Sequence, residues 1–353
     1  ADSDHTGKGL LEVDIRRITS QMTLVSRRDG YDDTRRRSSS WFLFQKNTPS
    51  SQRGVPEQTM NTHSDNFHAL RETLIYDLTK ALALPQTDLA KSFVRLIFGR
   101  AVNAAAELAT ELDCAVAEGG LIAGARQGLP RFVKSYEAQG IENIPPHGPL
   151  IIASNHPASV DSLVISAFIN RRDYKLIIGD IPFFEHLPHL SQCAIYAPEE
   201  KNVMGRMQVI RESIRHLRQG GALLIFPLGG IEADPEFMPE PDGEFHSWSR
   251  SLKVFMQRVP DLQILVTIAS GVISPAAMRH PITWVRKARA DRQRLAFIYQ
   301  LARQVLSGRQ IFDLRPRVTF GEILSGTNPE RVLAEVEWAA RRTLERHMAW
   351  AHV

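Results

Sequence analysis

Short apolar runs alternate with amphipathic stretches over the second half of the chain. After the turn-rich segment GIENIPPHGP, the runs are LIIAS, YKLIIG, CAIYA, ALLIFP and ILVTIAS, and stretches such as VMGRMQVIRESIRHLRQ separate them. Short buried strands joined by helices are typical of a mostly parallel sheet with helices on both faces. The sequence therefore predicts an α/β fold with a mostly parallel, mixed sheet over residues 141–353.

The preceding region has a helical period instead. Apolar residues recur there at steps of three and four: Phe67, Leu70, Leu74, Ile75, Leu78 and Leu82. This spacing places them on one face of a helix. A later Ala-rich stretch reaches Gly119 and Gly120, and glycine permits the left-handed turn that ends many helices. We predict an N-terminal helical subdomain over residues 63–140, with a helix end at the glycine pair.

Residues 1–62 mix charged residues with Ser, Thr and Gln and show no sustained period, which predicts a poorly ordered leader. The whole chain of 353 residues is 43% hydrophobic, a globular composition. No apolar run approaches the roughly 18 residues that a membrane-spanning helix needs. The start of the chain also lacks the features of a secretory signal. We expect a cytoplasmic protein that is peripheral on a membrane face.

A basic segment extends over residues 279–317. It holds two aspartates, Asp291 and Asp313, against ten Lys or Arg: Arg279, Arg286, Lys287, Arg289, Arg292, Arg294, Arg303, Arg309, Arg315 and Arg317. Such a segment is either a solvated helix face or a contact for an anionic membrane or phosphates. No DNA- or RNA-binding motif accompanies it, so we predict no nucleic-acid partner. We expect its apolar residues to pack on the body: Trp284, Val285, Leu295, Phe297 and Ile298.

The stretch SNHPASVDS, residues 154–162, directly follows the run LIIAS. Pro157 disfavours helical angles at His156, so the chain turns and Asp161 comes within reach of the ring. A carboxylate that accepts from one ring nitrogen leaves the other free as a base. The chain has no GxSxG elbow, so the hydroxyl that this base activates would belong to a bound substrate. The alternative is a structural turn, in which His156 packs the loop and Ser159 or Asp161 caps the next helix.

The segment NHPASVD resembles the first motif, NHxxxxD, of the glycerolipid acyltransferases. IFPLGGIEADP stands where that family carries FPEGTRS, and ILVTIASGVISP and RVTFGEIL resemble its later strand motifs. The resemblance covers residues 141–350. It implies that His156 deprotonates an acceptor hydroxyl, that Asp161 orients His156, and that the hydroxyl attacks an acyl-CoA or acyl carrier protein thioester. It implies no cofactor beyond this co-substrate.

Several substrate contacts follow from the same motifs. The Gly229–Gly230 pair is suited to bring backbone N–H groups close to an anion, although a tight turn also explains it. Leu228 and Ile231 depart from the family residues at their positions, and Glu232 substitutes for the missing glutamate if the loop is reshaped. Asn155, beside His156, is a further predicted substrate contact.

The second family motif is altered too. Pro198 stands where the resemblance expects an arginine that binds acceptor phosphate, and the nearest cations are Lys201 and Arg206. Phe183 and Phe184 are candidates for an acyl-chain wall, with core packing as the alternative. His186 and His189 lie three apart without a ligand set around them in sequence, so we predict no metal site.

These observations predict an O-acyltransferase that moves a fatty acyl group from a thioester donor to a glycerolipid or lysophospholipid hydroxyl. Two alternatives stay open. One is a non-catalytic lipid or acyl-thioester binding protein that has lost acceptor recognition. The other is a thioesterase, in which His156 activates water.

Overall fold

The computed structural model describes residues 58–82, 84–179, 182–198, 202–248, 250–326 and 328–350. The chain divides into units at residues 1–64 and 65–353, and the elements below belong to the second unit apart from the start of the first helix. Most of the predicted leader and the predicted phosphate ligand Lys201 lie outside the described residues. The first helix begins at Gln58, so residues 58–62 are helical although the sequence analysis places them in the leader.

A seven-stranded sheet forms the centre of this unit, in the order β1-β7-β6-β2-β5-β3-β4. The strands are β1 Glu137–Gln139, β2 Leu150–Ser154, β3 Tyr174–Gly179, β4 Ala194–Ala197, β5 Ala222–Ile225, β6 Gln263–Ser270 and β7 Arg317–Leu324. Every neighbouring pair is parallel except β6 and β7, which are antiparallel. The predicted mostly parallel, mixed sheet is confirmed.

The central strand β2 is buried along its whole length. Its side chains alternate between two hydrophobic cores, with Leu150 and Ile152 in one and Ile151 and Ala153 in the other. A strand that is buried on both faces needs apolar residues at every position, because each face packs against helices. This is why β2 appears in the sequence as an unbroken apolar run.

Nine helices of the described residues surround the sheet. They are α1 Gln58–Ala81, α2 Asp88–Gly128, α3 Asp161–Ser166, α4 Pro188–Gln192, α5 Val203–Arg218, α6 Ser251–Arg258, α7 Pro275–Met278, α8 Arg289–Ser307 and α9 Val332–Trp350. A short 3-10 helix at Pro281–Val285 precedes α8. Within the described ranges, no helix combines the length and hydrophobicity of a membrane span.

The predicted helix end at the glycine pair is confirmed. Gly120 leaves the helical region, with φ 72° and ψ −172°, so α2 consists of two helical segments that meet at a kink there. The second segment continues to Gly128, and its residues Leu121 and Ala125 are buried in the main core. Glycine thus ends the first segment, as its backbone freedom predicts, and a second helical segment begins directly after it.

The apolar residues of the basic segment do not all pack on the body. Leu295 is buried, and Phe297 packs against the core as expected. Trp284 and Val285 instead keep 67% and 73% of their surface exposed. The prediction of packing is wrong for these two residues.

A buried histidine connects α9 to the antiparallel strand pair. The Nδ1 atom of His347 lies 2.8 Å from the Thr319 hydroxyl, and its Nε2 atom lies 2.7 Å from the Ser270 hydroxyl. Burial, helped by the positive charge of Arg317, lowers the pKa of His347 to about 3. The ring is therefore neutral in the folded protein at neutral pH.

This buried ring predicts a loss of stability in acid. Its pKa is about 3 in the folded state against an ordinary 6.5, so the unfolded chain takes up the proton first as the pH falls. The stabilisation is present above pH 6.5 and is lost toward pH 3, at about 1.4 kcal/mol per pH unit. Urea unfolding of wild type and His347→Gln between pH 7 and pH 5 measures it. We expect a steeper decline for wild type, and parallel declines would contradict the prediction.

Candidate active site

The candidate site lies at the carboxyl ends of β2 and β5, which pair in parallel. His156 comes two residues after the end of β2, and Phe226 directly follows β5. Their rings stack, with centroids 4.1 Å apart and planes inclined by 27°. This is the edge of an α/β sheet where ligands usually bind, because the loops that follow the strands converge there.

Asn155 joins the turn that contains His156 to β6, the other strand that pairs with β2. Its side-chain amide donates to the carbonyl of Ala269 on β6 at 2.9 Å and accepts from the Ala269 N–H at 2.8 Å. The side chain is buried, and these two bonds continue the pairing of β2 with β6 beyond the end of the strand. The sequence analysis expected a substrate contact, whereas the structure uses both polar groups of the amide to hold the backbone beside His156.

His156 and Asp161 meet as the turn predicts. The Nδ1 atom of His156 lies 2.9 and 3.1 Å from the two oxygens of Asp161. A carboxylate only accepts hydrogen bonds, so Nδ1 carries the ring proton and Nε2 carries the lone pair. The His156 side chain is 21% exposed and that of Asp161 is fully buried. No other described residue hydrogen-bonds the ring, so Nε2 is available to a ligand.

The alternative role of the aspartate as a helix cap does not hold. Helix α3 has Val160 at its N-cap without a side-chain hydrogen bond, and Asp161 is its first residue. An Asp161 oxygen instead accepts from the backbone N–H of Ala158 at 3.1 Å. The carboxylate therefore faces back into the turn and holds both the ring and the backbone.

A second loop and helix α8 fix the turn from outside the sheet. The backbone N–H of Glu232 donates to the His156 carbonyl at 2.9 Å. Gln293 on α8 donates to the carbonyls of Pro157 and Glu232 at 2.6 and 2.7 Å, and Arg289 donates to the Gln293 side chain at 2.7 Å. Sequence reasoning missed Gln293 because a glutamine within a basic helix carries no signal of such a contact.

The Glu232 carboxyl lies inside the protein beside this turn. One oxygen accepts from the Trp248 indole N–H at 3.1 Å, and the other has no partner among the described residues. Burial raises the pKa of Glu232 to about 8; the Trp248 bond opposes this, and the nearby Glu244 and Asp161 carboxylates add to it. The group is largely protonated at neutral pH. The sequence predicts a substrate contact for Glu232, but the structure encloses the side chain completely.

The glycine pair after β5 forms a turn. Gly229 has φ 72°, a left-handed conformation that favours glycine, and its N–H donates to the Phe226 carbonyl at 2.9 Å. Gly230 has no backbone partner among the described residues, and a Cβ atom added there would meet nothing within 4 Å. The turn therefore uses the N–H group of Gly229, and the space where a Gly230 side chain would lie is open.

Two further predictions concern residues farther along the sheet. Arg206 lies in the first turn of α5, after β4. Because β4 is three strands from β2, about 14 Å separates the strands. Phe183 and Phe184 form an edge-to-face pair at 5.2 Å and pack on the main core. The structure does not bring these residues into contact with His156, so their roles as phosphate ligand and acyl-chain wall stay predictions.

A second His–Asp pair lies away from the strand ends. Nδ1 of His189 is 2.8 Å from an oxygen of Asp113 on α2. The other Asp113 oxygen accepts from the backbone N–H groups of His189 and Leu190, the first residues of α4 after its proline. This aspartate joins α2 to α4, and the sequence analysis missed it because 76 residues separate the partners.

Residues 135–269 match the protein-family model described as Acyltransferase. No curated protein matches the chain. Among solved structures, the chain is similar to the 1-acyl-sn-glycerophosphate acyltransferase PlsC from Thermotoga maritima, at 14% sequence identity and a TM-score of 0.41. That alignment covers 82% of this chain and 98% of the other. The family match spans β1 through most of β6 and therefore includes the turn with His156 and Asp161.

The buried Glu232 predicts a pH-dependent stability. Its pKa is about 8 in the folded state against an ordinary 4.5, so its contribution is fully present below pH 4.5 and is lost as the pH rises through 8. The slope is about 1.4 kcal/mol per pH unit within that window. Glu232→Gln keeps a neutral side chain at every pH. In urea titrations, we therefore expect the free energy of unfolding of the variant, relative to that of wild type, to increase as the pH rises from 5 to 8. A constant difference would show that the carboxyl ionises normally.

Proposed function

We propose that this chain, whose residues 135–269 match the Acyltransferase family model, transfers a fatty acyl group from an acyl thioester to a hydroxyl of a glycerolipid-type acceptor. The observation that carries the proposal is the His156–Asp161 pair, with Nδ1 bound to a buried carboxylate and Nε2 open. That arrangement suits a general base.

His156 and Asp161 together account for each proton transfer in this reaction. Nε2 of His156 takes the proton of the acceptor hydroxyl as its oxygen attacks the thioester carbonyl carbon. Asp161 stabilises the imidazolium that forms, because its carboxylate already accepts the Nδ1 proton. When the tetrahedral intermediate collapses, the C–S bond breaks and the imidazolium returns the proton to the thiolate. The products are the acyl ester and the free thiol of the donor.

Neither of the two serines closest to His156 in the sequence is placed to act as the nucleophile. Ser154 is the nearest hydroxyl before His156, but it is buried and donates to the carbonyl of Asn155 at 3.0 Å. Ser159 is exposed on the turn, and no hydrogen bond joins it to the ring. This supports the proposal that a bound substrate supplies the hydroxyl, by direct transfer and not through a covalent acyl-enzyme.

The loop after β5 is the proposed site of charge stabilisation. Phe226, the first residue of this loop, stacks on the His156 ring, so the loop begins in contact with the base. The backbone N–H of Gly230 has no protein partner among the described residues. A backbone N–H without a protein partner is suited to an oxyanion or a phosphate oxygen. Lys201 and Arg206 stay the predicted cations for the acceptor phosphate.

We expect purified protein to release thiol from palmitoyl-CoA or from palmitoyl acyl carrier protein only when an acceptor is added. Glycerol 3-phosphate and a set of lysophospholipids form the acceptor panel, and mass spectrometry identifies the acylated product. His156→Ala removes the base, and Asp161→Asn retains an acceptor for the Ala158 N–H but no longer fixes the tautomer. We expect both variants to lose on the order of 100-fold to 10,000-fold in turnover.

The second His–Asp pair supplies the matched control. His189→Ala removes a histidine that also binds a carboxylate at 2.8 Å but lies outside the candidate site, so it should keep wild-type turnover. Thiol release without acceptor that still requires His156 would indicate a thioesterase. Binding of both donor types without turnover would indicate a non-catalytic binding protein, and either result would overturn the proposed transfer.

A further inference from the structure

An exposed aromatic and cationic surface lies directly before α8. It consists of Trp284, Val285, Arg286 and Lys287, and we call it the Trp284 surface. Trp284 and Val285 are 67% and 73% exposed, and they end the 3-10 helix at Pro281–Val285. Two neighbouring apolar side chains with about two thirds or more of their surface in water are unfavourable unless another surface covers them.

The protein holds this short helix firmly. Thr283 is fully buried, and its hydroxyl donates to the carbonyls of Met278 and His280 at 3.0 and 2.9 Å. The His280 ring accepts the N–H of Ile282 and stacks on Tyr299 of α8, with centroids 3.9 Å apart. Because the residue before Trp284 is fixed in the interior, the next two side chains are held outward.

The charge around these side chains is positive. Residues 275–290 contain no Asp or Glu and four cations: Arg279, Arg286, Lys287 and Arg289. Arg289 binds the Glu244 carboxylate at 2.9 Å, whereas the other three make no ion pair with any described carboxylate. Tryptophan favours the interface between water and lipid, and each unpaired cation there attracts anionic head groups.

The Trp284 surface is also close to the candidate site. Helix α8 begins two residues after Lys287, and Gln293 in its second turn holds the carbonyl of Pro157, next to His156. Arg289 and Gln293 are separated by about 6 Å along the helix axis. A lipid surface that contacts this region would therefore lie at the N-terminal end of the helix whose second turn binds the His156 loop.

We propose that the Trp284 surface docks on an anionic lipid bilayer, with Trp284 and Val285 in the interface and Arg286 and Lys287 against the head groups. The docking itself follows from exposure and charge. Its consequence, that the acceptor lipid comes from the bilayer, rests on the proposed function.

Vesicles of phosphatidylcholine, with and without about one third phosphatidylglycerol, test the docking by co-sedimentation. We expect wild type to bind the anionic vesicles, and Trp284→Ser/Val285→Ser and Arg286→Glu/Lys287→Glu each to weaken partitioning by on the order of tenfold or more. Circular dichroism establishes that the variants are folded, and the serine pair alone suffices if the charge reversal does not fold.

Trp338 provides the matched control for an exposed tryptophan. It is 56% exposed on α9, and the Arg342 guanidinium lies 4.6 Å above its ring. Trp338→Ser should bind vesicles as wild type does. Leu96→Ser tests the exposed apolar stripe at the start of α2, where Leu96 is 85% exposed. Unchanged binding of the Trp284 and Val285 variant overturns the proposal, and a loss with Leu96→Ser alone moves the contact to α2.

Activity separates this proposal from the proposed function. With glycerol 3-phosphate in solution, the serine pair should keep wild-type turnover, and with a lysophospholipid presented in anionic vesicles it should lose turnover in parallel with binding. Vesicle binding that depends on Trp284 in a protein without transferase activity would overturn the proposed function and leave the docking intact. Full activity on vesicle acceptors without Trp284-dependent binding would overturn the docking.

Discussion

The hydrogen bond between His156 and the buried carboxylate of Asp161 is the contact on which the candidate site depends. A buried carboxylate needs hydrogen-bond donors close to it. The free energy of burying an unpaired charge is far larger than the stabilisation that one hydrogen bond provides. Here the donors are the His156 ring and the Ala158 N–H, both within one tight turn. The turn cannot open without leaving the carboxylate unpaired, and this is what fixes the orientation of the base.

The surrounding fold extends this constraint outward. Asn155 continues the pairing with β6, Phe226 packs on the ring from β5, and Gln293 joins the turn to the loop at Glu232. The same helix that carries Gln293 follows the Trp284 surface. One end of α8 thus connects the proposed membrane contact to the base through a few covalent and hydrogen bonds, and chemistry and acceptor delivery would share one rim of the sheet.

Sequence patterns predict the parts of this architecture that rest on local periodicity. The strands from β2 to β6 can be predicted because each contains a run of apolar residues. The strand β7, RVTFGEIL, is predicted only by its resemblance to a family motif, and β1, with the sequence EAQ, has no apolar run and exists only by pairing with β7. The His156 turn can be predicted from the sequence because its determinants, the proline and the five-residue spacing from His156 to Asp161, are local. The partners of Asn155, Gln293 and Glu232 come from distant segments, so no local pattern reveals them. The prediction that Trp284 packs on the body is wrong because the polar residue Thr283, and not Trp284, holds the 3-10 helix in the interior.

The tautomer of His156 tests the central claim most directly. Nitrogen NMR of protein with ¹⁵N-labelled histidine, assigned by comparison with His156→Ala, distinguishes a protonated Nδ1 from a protonated Nε2. The account predicts that neutral His156 carries its proton on Nδ1 in wild type, and that Asp161→Asn loses this preference. A neutral ring protonated on Nε2 in wild type would contradict the account, because the nitrogen that faces the substrate would then have no lone pair with which to accept a proton.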